Sequence, residues 1–309
     1  MKNPLFTIAI PAYKSQYLKE AIDSVLNQTI SDFELLIVND ASPHNITAVV
    51  NLYDDERIRY VINDSNIGGD DPVKNWNKCL SLAKGEYFSL LCDDDVYAPS
   101  FLEELYSLAK LYPSCKVFRS GVKQVDKSGN LIGIYPTCPE WESSIDYLLQ
   151  LSAGKRFQTI SEFMYRREYI VRCGGYYSLP KAWAADRLSV LLFGMDGGIA
   201  STPHTLVLFR TSGDNLSGEK GKYTREKVIA NAKYTCIIKN MISKEDSSIR
   251  NLIIRHREKT ENVEMTAYLR MANVKDFLFL WFNRNTEKYH IASKCFLKAI
   301  VDKLVYKFK

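Results

Sequence analysis

Residues 5–42 read LFTIAIPAYKSQYLKEAIDSVLNQTISDFELLIVNDAS and predict the beginning of an α/β fold. The apolar run Leu5–Ile10 has the length of a buried strand, and Phe33–Val38 is a second run of the same kind. Between them, apolar residues recur on one face of a helix: Leu18, Ala21, Ile22, Val25 and Leu26. A strand, a helix and a strand in close succession predict a mostly parallel sheet flanked by helices.

The alternation continues along the chain. Strands are predicted at Arg57–Ile62, Tyr87–Cys92, Lys116–Val125, Gln158–Tyr165 and Thr205–Arg210, and helices at Val73–Ala83, Trp141–Leu151 and Asp186–Phe193. After Gly221 the composition is helical. The predicted fold class is therefore α/β, a mostly parallel central sheet flanked by helices, with a helical C-terminal extension. In such sheets ligands bind beyond the carboxyl ends of the strands, so the loops there are the first candidates for a site.

The composition is that of a folded protein in a reducing compartment. The 309 residues are 46% hydrophobic and 25% charged, and the seven cysteines form no CxxC pair, which favours free thiols and a cytoplasmic location. The first residues lack the apolar stretch of a secretory signal, and no apolar run approaches the ~20 residues that span a bilayer. We therefore expect neither a signal peptide nor a transmembrane helix.

The formal net charge of +5 lies in the C-terminal tail. Residues 284–309 carry seven basic and two acidic side chains, so the remainder is balanced and a nucleic-acid-binding face is not expected. The motifs GxxxxGKS/T, GxGxxG, HExxH and GxSxG do not occur, and the histidines and cysteines show no clustered metal spacing. Kinase-like ATPases, dinucleotide oxidoreductases, zincins and serine hydrolases are therefore not supported.

The run CDDDVYAP at residues 92–99 follows the apolar strand that starts at Tyr87. Three successive carboxylates repel one another unless a cation lies among them, and in an extended chain Asp93 and Asp95 point to one side. Carboxylate oxygens are the ligands that Mg²⁺ and Mn²⁺ prefer, with substrate phosphates completing the set. The alternative is a solvated acidic turn that caps the helix beginning near Pro99.

Two further strand ends carry candidate side chains. Asp40 follows the second strand, where it can accept hydrogen bonds from a ligand, although taken alone it is better explained by an Asx turn or a helix cap. Tyr13 follows the first strand and offers a stacking face, although taken alone it is better explained as a packing residue. With Asp93–Asp95 they predict a constellation at one edge of the sheet.

Together with NIGG at residues 66–69 and NWNKCLSLAKGEY at 75–87, these strand ends resemble the family-2 nucleotide-sugar glycosyltransferases, which have the GT-A fold. The resemblance is close from Leu5 to Leu105 and looser to Ser217. It implies that the nucleotide sugar is bound by Pro11, Ala12, Tyr13, Asp40, Asn66, Gly68, Lys74, Asp93 and Asp94. It also implies a metal site at Asp93 and Asp95, with Asp95 as the principal ligand. Cys92 stands where the family often has an acid.

The resemblance further implies a general base. Trp183-Ala184-Ala185-Asp186 is similar to the family's later acidic motif at the start of a helix beside the acceptor, so Asp186 is the expected catalytic base and Trp183 a candidate sugar platform. The alternatives are ordinary helix capping for Asp186 and simple burial for Trp183. The segment Arg210–Ser217 resembles the family's loop that closes over the diphosphate.

The implied activity is an inverting, metal-dependent glycosyl transfer with Mn²⁺ or Mg²⁺ as cofactor. The expected donor is a nucleotide-diphospho sugar, specifically a UDP-sugar, and the acceptor is a hydroxyl of a glycan or a lipid-linked molecule in cell-surface polysaccharide biosynthesis. The implied organisation is a nucleotide-sugar-binding half over residues 1–112, an acceptor-binding half over 113–217 and a helical extension over 218–309. The alternative is a catalytically inactive nucleotide-sugar-binding or scaffold relative at the membrane. A nucleotidyltransferase is a third class, but it would normally have a Gly-rich basic loop near the first strand.

The last predicted helix, Thr286–Phe308, is amphipathic. Its apolar residues recur at helical spacing and lysines flank them: Leu297, Ile300, Val301, Leu304, Val305 and Phe308, with Lys294, Lys298, Lys303 and Lys307. This pattern is typical of a helix on an anionic lipid surface, which would make the protein peripheral on the inner face of the cell membrane. The alternative is that the helix packs on the catalytic domain with its lysines in water.

Overall fold

The computed structural model of the chain describes residues 3–211, 222–286, 289 and 291–307. These residues form two compact units. The first unit contains residues 3–147, 156–178 and 185–211, and the second contains residues 148–155, 179–184 and the described residues from 222 onward. The predicted closing loop, Arg210–Ser217, lies outside the described residues from position 212 onward.

The first unit is built on a mixed sheet. In the described part of the chain its strands are β1 (Phe6–Ala12), β2 (Phe33–Asn39), β3 (Ile58–Ile62), β4 (Tyr87–Leu90), β5 (Val96–Tyr97), β6 (Val117–Asp126), β7 (Leu131–Ile134), β8 (Trp141–Glu142), β9 (Phe163–Arg166) and β10 (Ile199–Thr211). Their spatial order is β3-β2-β1-β4-β9-β6-β10-β5, with β7 paired to β6 and β8 to β10. Strands β1 to β4 are parallel, as predicted. Strand β9 runs antiparallel between β4 and β6, so the second half of the sheet is mixed.

The helices up to residue 193 are α1 (Leu18–Leu26), α2 (Ile46–Val50), α3 (Pro72–Leu82), α4 (Phe101–Leu111), α5 (Ser144–Ser152), α6 (Arg167–Arg172) and α7 (Ala185–Phe193). Helix α1 has the bounds that its apolar spacing predicts, and the face formed by Leu18, Ala21, Ile22 and Val25 is fully buried. This face joins the core that β1 and β2 form on one side of the sheet. Burial of this stripe therefore fixes how the first helix lies on the sheet.

Several predicted elements differ from the structure in their bounds or type. The predicted strand Tyr87–Cys92 ends at Leu90, and the predicted helix Thr286–Phe308 begins only at Ser293. The predicted strand Gln158–Tyr165 begins instead as a 3₁₀ turn over Ile160–Glu162, because the Thr159 and Glu162 side chains cap each other's backbone N–H groups. The predicted helix Trp141–Leu151 begins only at Ser144. Trp141 and Glu142 form β8 because their backbone pairs with β10, a long-range interaction that local sequence does not reveal.

The parallel register places three strand ends side by side. Ala12 at the end of β1 pairs with Asn39 at the end of β2, and Ala9 pairs with Leu90 at the end of β4. The Asp40 N–H donates to the Ala12 carbonyl at 3.1 Å, which continues the β1–β2 contact past the strands. The predicted meeting of these loops at one edge of the sheet is confirmed.

The C-terminal part of the second unit is helical, as predicted for the end of the chain. Beyond residue 222 it contains α8 (Thr224–Met241), α9 (Ser247–Met271), α10 (Val274–Asn283) and α11 (Ser293–Lys307). Its core is formed by residues of all four helices, among them Val228, Leu269, Leu280 and Phe296. Among the described residues, no helix combines the length and the apolar character that crossing a membrane requires.

Candidate active site

We call residues Cys92–Asp95 the aspartate turn. Strand β4 ends at Leu90, so these residues leave the extended geometry in which alternate side chains share a side. All three aspartates are buried, and Asp95 has no exposed surface. The turn lies at the carboxyl edge of the sheet next to the loop that follows β1.

Asp93 binds the β1 loop. Its Oδ2 accepts hydrogen bonds from the backbone N–H groups of Tyr13 at 2.7 Å and Lys14 at 2.6 Å. The candidate cation-binding cluster in the described chain is formed instead by the Cys92 thiol and the carboxylates of Asp94 and Asp95, whose ligand atoms lie within 4.8 Å of one another. The structure thus does not bring Asp93 into the cluster that contains Asp95, in contrast to the predicted pair, because residues 91–95 are a turn and not a strand.

Asp95 is held on both carboxylate oxygens. The Ser161 hydroxyl donates to Oδ2 at 2.5 Å, and the backbone N–H of Arg210 donates to Oδ1 at 3.0 Å. Burial, together with the nearby charge of Asp94, raises the pKa of Asp95 to about 8. Burial raises the pKa of Asp93 to about 6, although the amides of the β1 loop oppose this shift. The raised pKa values mean that ionising these buried carboxylates together is unfavourable. A bound cation would offset their repulsion, so the site favours one.

Arg210 supports the turn from β10. Its Nε donates to the Asp94 carbonyl at 3.1 Å, and its Nη2 forms an ion pair with Glu20 at 2.6 Å. The guanidinium also lies 4.2 Å from the centre of the Tyr17 ring. These contacts connect the aspartate turn to α1 and to β10.

Asp40 organises the loop that follows β3. Its Oδ1 accepts from the Asn63 side chain at 2.8 Å and from the Ile67 N–H at 2.9 Å, and its Oδ2 accepts from the Gly68 N–H at 2.7 Å. A Cβ atom on Gly68 would lie 2.7 Å from the Asp40 Oδ2 atom, so this close approach requires glycine. Asn66 accepts a hydrogen bond from the Gly69 N–H at 2.6 Å in the same loop.

The other predicted nucleotide-binding residues lie around the same edge. Pro11 is half-buried and Ala12 fully buried within β1, whereas 39% of Tyr13 is exposed beyond the strand. The Tyr13 ring packs edge-to-face with His44, with 6.1 Å between the ring centres. Lys74 is exposed in the first turn of α3. The structure therefore brings the residues after β1, β2 and β4 together, and their roles stay predictions.

Asp186 lies in the first turn of α7, as predicted. The Gln158 side-chain amide donates to its Oδ2 at 3.3 Å, and the Tyr147 hydroxyl donates to the Gln158 Oε1 at 2.9 Å. Burial raises the pKa of Asp186, and the adjacent Arg187 lowers it in part. A half-buried carboxylate with a raised pKa is suited to accept a proton near neutral pH.

Tyr135 is a candidate that no sequence motif predicts. This half-buried residue follows β7 and packs near the rings of Phe157 and Phe209, whose centres are 5.7 and 6.5 Å from its own. Burial raises the pKa of Tyr135 to about 12, and the negative charges of Glu162, Asp95 and Asp186 add to the shift. No local motif marks Tyr135, because the rings that it contacts are distant from it in sequence.

Trp183 belongs to the second unit. Its Nε1 donates to the Tyr268 hydroxyl at 2.5 Å, and the Lys227 ammonium lies 4.4 Å from the ring centre. These contacts show that the indole packs within that unit. Its role as a sugar platform stays a prediction.

Comparison with known families defines the class of protein. The model of glycosyl transferase family 2 matches residues 7–172, which is more than half of the chain and includes β1 to β4 and the aspartate turn. The chain therefore belongs to glycosyl transferase family 2, and its α/β architecture is the GT-A fold of that family.

Curated relatives are similar over the same region. An uncharacterised glycosyltransferase of Methanocaldococcus jannaschii is 32% identical over 138 residues, which are 43% of this chain and 46% of that protein. The putative colanic acid biosynthesis glycosyl transferase WcaA of Escherichia coli is 33% identical over 147 residues, which are 44% of this chain and 50% of that protein. The matched segment thus spans about half of the length of these relatives.

Solved structures share the fold. S. aureus TarS 1–349 in complex with UDP-GlcNAc has a TM-score of 0.62 at 15% identity, and the match covers 97% of this chain and 80% of that chain. The mannosyltransferase PcManGT from Pyrobaculum calidifontis, in complex with GDP-Man and Mn²⁺, has a TM-score of 0.56 at 14% identity, and the match covers 99% of this chain and 88% of that chain.

Proposed function

We propose that the chain is an inverting glycosyltransferase that moves a sugar from a nucleotide-diphospho sugar to a hydroxyl of a glycan or lipid-linked acceptor. The observation that carries the proposal is the buried aspartate turn at the carboxyl end of β4 in a family-2 domain. The TarS complexes with UDP-GlcNAc and UDP support a UDP-sugar as donor. The relative named for colanic acid biosynthesis supports a role in surface polysaccharide synthesis.

The nucleotide is assigned to the loops after β1, β2 and β3. The exposed Tyr13 ring offers a stacking face, and Pro11 and Ala12 line the nucleobase beside it. Asn66, Gly68 and Lys74 border the base and ribose. Asp40 Oδ2 accepts one hydrogen bond from the described residues, so it keeps acceptor capacity for an N–H group on the edge of the base. In this proposal Asp40 both shapes the loop and reads the base.

The donor set of the aspartate turn fits Mn²⁺ or Mg²⁺. Asp94 and Asp95 supply hard carboxylate oxygens within 4.8 Å of each other, and Cys92 lies beside them. In the proposal Asp95 is the principal metal ligand. Asp94, which the resemblance assigns to the ribose or donor sugar, is closer to the cluster than Asp93 is and supplies the second carboxylate. Asp93 holds the β1 loop through its two amide contacts. A bound cation would neutralise the charge that develops on the diphosphate leaving group.

Asp186 is the proposed general base. Its raised pKa suits removal of the acceptor proton as the hydroxyl attacks the anomeric carbon. One base without a second carboxylate as nucleophile corresponds to a single displacement with inversion. We assign the Tyr135 hydroxyl, whose pKa the charges of Asp95 and Asp186 both raise, as a donor to a sugar hydroxyl.

The second unit is proposed to contact an anionic membrane on its cytoplasmic face. Helix α11 leaves its apolar stripe exposed, with Leu297 62%, Val301 56% and Leu304 55% accessible. Helix α10 adds a second exposed row at a spacing of four residues, formed by Val274, Leu278 and Phe282. Apolar side chains flanked by lysines are suited to an anionic lipid surface. The free thiols of the chain are consistent with the cytoplasm.

The experiment that tests the activity is release of UDP from a panel of UDP-sugars in the presence of Mn²⁺. We expect turnover with at least one donor, and we expect Asp186→Asn to remove turnover while UDP binding persists. Asp196→Asn, an exposed acid beyond the other end of α7, is the matched control and should leave turnover unchanged. Binding of UDP without turnover in the unmodified chain would favour the inactive relative, and release of pyrophosphate would favour a nucleotidyltransferase.

A further inference from the structure

One short segment, Gln158–Glu162, contacts both carboxylates that the proposed function requires. From this segment the Ser161 hydroxyl donates to Asp95 Oδ2 at 2.5 Å, and the Gln158 amide donates to Asp186 Oδ2 at 3.3 Å. Asp95 lies 66 positions away from Ser161 in sequence, and Asp186 lies 28 positions away from Gln158. Two carboxylates that are distant in sequence, Asp95 and Asp186, are therefore held by the same short segment.

The Ser161 hydroxyl makes two hydrogen bonds, both to the aspartate turn. Its single hydroxyl proton is used by Asp95, and its oxygen accepts from the Cys92 N–H at 3.1 Å. Its carbonyl accepts from the Tyr97 hydroxyl at 2.9 Å, and no part of the residue is exposed. The hydroxyl thereby fixes the direction of Asp95 Oδ2 and the start of the turn at the same time.

Gln158 has its amide orientation fixed by a second residue. The buried Tyr147 hydroxyl donates to Oε1 at 2.9 Å, which directs the –NH₂ group of the same amide toward Asp186. An amide that donates to a carboxylate stabilises the charged form and lowers its pKa, as Gln158 does for Asp186.

The backbone of the segment is anchored by a buried ion pair. Arg119 Nε lies 2.5 Å from Glu162 Oε1, and their side chains are 3% and 0% exposed. Arg119 Nη2 donates to the Phe157 carbonyl at 2.7 Å, and the Thr159 N–H donates to Glu162 Oε2 at 3.2 Å. Both ends of the segment are thus attached to β6 through Arg119.

We propose that Gln158–Glu162 is a positioning clamp, in which Ser161 orients the metal ligand Asp95 and Gln158 orients the base Asp186 on one anchored turn. This inference rests on the proposed function, because it assumes those two roles. Ser161 and Gln158 are positioning residues, since each acts on the reaction through the carboxylate to which it donates. Hydrogen-bonded partners of a metal ligand typically change metal affinity about 10- to 100-fold when they are removed.

Several charged and titratable groups surround Asp186 besides Gln158. They are Arg187 on the same helix, Glu162 in the clamp, Tyr135 after β7, Tyr165 on β9 and Tyr176 after α6. The variants below leave these groups in place, so a change at Asp186 reports the loss of the Gln158 amide.

The first test measures binding of Mn²⁺ to the full chain in the presence of UDP, from the electron paramagnetic resonance signal of free Mn²⁺. We expect Ser161→Ala to weaken Mn²⁺ binding about 10-fold or more. Ser161→Thr and Ser161→Val are a matched pair of equal size, and the Thr variant, which keeps the hydroxyl, should bind Mn²⁺ more tightly than the Val variant. This comparison holds even where the added methyl group lowers the stability of both.

The second test measures the pKa of Asp186 by NMR of carboxyl-¹³C aspartate, with the resonance assigned through Asp186→Asn. Gln158→Leu is expected to raise this pKa and to leave Mn²⁺ binding within about twofold of the original. Tyr147→Phe, which frees the amide to rotate, should shift the pKa in the same direction by a smaller amount.

The outcomes separate the clamp from the proposed function. If the unmodified chain binds no Mn²⁺ with UDP, the proposed function itself fails. If it binds Mn²⁺ and both Ser161→Ala and Ser161→Val bind equally well, the positioning role of Ser161 is overturned. An Asp186 pKa that is unchanged in Gln158→Leu overturns the role of Gln158.

Discussion

The three aspartates of the aspartate turn have different surroundings although they are adjacent in sequence. Asp93 accepts two backbone amides from the β1 loop, whereas Asp95 is enclosed by Ser161 and the backbone of Arg210. The sequence predicts that this run is a site but not which oxygens point where. Side-chain direction there depends on where β4 ends, and the strand ends at Leu90, before the turn.

At the same scale, the raised pKa of Asp95 predicts a stability that depends on pH in the metal-free chain. An unfolded aspartate releases its proton near pH 4, whereas folded Asp95 keeps its proton to about pH 8. Between these values the folded state binds more protons, so the free energy of unfolding falls as the pH rises. We therefore compare the melting temperature of Asp95→Asn with that of the unmodified chain at each pH. The difference, variant minus unmodified, should be larger at pH 8.5 than at pH 5 by ~3 °C or more.

Thermal unfolding in EDTA across this pH range measures the effect. The control is Asp64→Asn, an exposed aspartate in the loop after β3, whose melting curve should follow that of the unmodified chain. Parallel pH curves for Asp95→Asn and the unmodified chain would show that burial does not perturb Asp95.

Asp40 is predicted to stabilise the fold as well as to bind a nucleotide. Asp40→Asn replaces one carboxylate oxygen with an –NH₂ group, so one of the N–H donors that Asp40 accepts loses its partner. We expect a loss of about 1–3 kcal/mol in the free energy of unfolding, measured by urea denaturation. A loss as small as that of Asp64→Asn would contradict the assigned role of the side chain in the loop.

At the scale of elements, the 3₁₀ turn Ile160–Glu162 shows the limit of prediction from sequence. Residues 158–165 have the pattern of a strand, yet the first half is a turn. Its side chains form hydrogen bonds with Asp95, Asp186 and Arg119. Periodicity reports the local burial pattern and not the partner of each polar group. By contrast α1, β6 and α7 follow the sequence closely, because apolar spacing determines each of them.

The ion pair between Arg119 on β6 and Glu162 predicts a large loss of stability when one partner is removed. Glu162→Gln leaves the Arg119 charge buried, and we expect about 3–5 kcal/mol of destabilisation in urea denaturation. The double variant Arg119→Met with Glu162→Leu should lose less, because no unpaired charge is left in the core. Equal losses in the single and double variants would contradict this electrostatic account.

The exposed face of α11 predicts binding to anionic vesicles. We expect the full chain to sediment with phosphatidylglycerol vesicles more than with phosphatidylcholine vesicles, and binding to weaken as salt is raised. Leu304→Glu with Val301→Glu should abolish sedimentation without unfolding the chain, because both side chains are exposed. Val263→Glu, at an exposed site on α9, is the control, and an equal effect of the two changes would argue against a specific face.

At the scale of the whole molecule, the order of strands and helices could be predicted over the first 105 residues but the composition of the site could not. Apolar spacing gives the parallel strands, and the rule that ligands lie at their carboxyl ends gives the edge where Tyr13, Asp40 and Asp93 meet. Tyr135 follows β7, and Ser161 precedes the antiparallel β9. The positions of both strands depend on long-range pairing. Sequence therefore predicts the location of the site better than its complete set of residues.

In the proposed function the aspartate turn binds a divalent cation together with a nucleoside diphosphate. Calorimetric titration of UDP into the full chain, in Mn²⁺ and in EDTA, tests it most directly. We expect UDP to bind in Mn²⁺, EDTA to weaken this binding at least about 10-fold, and Asp95→Asn to remove the dependence on the metal. Equal UDP affinity in Mn²⁺ and in EDTA, unchanged in Asp95→Asn, would contradict it.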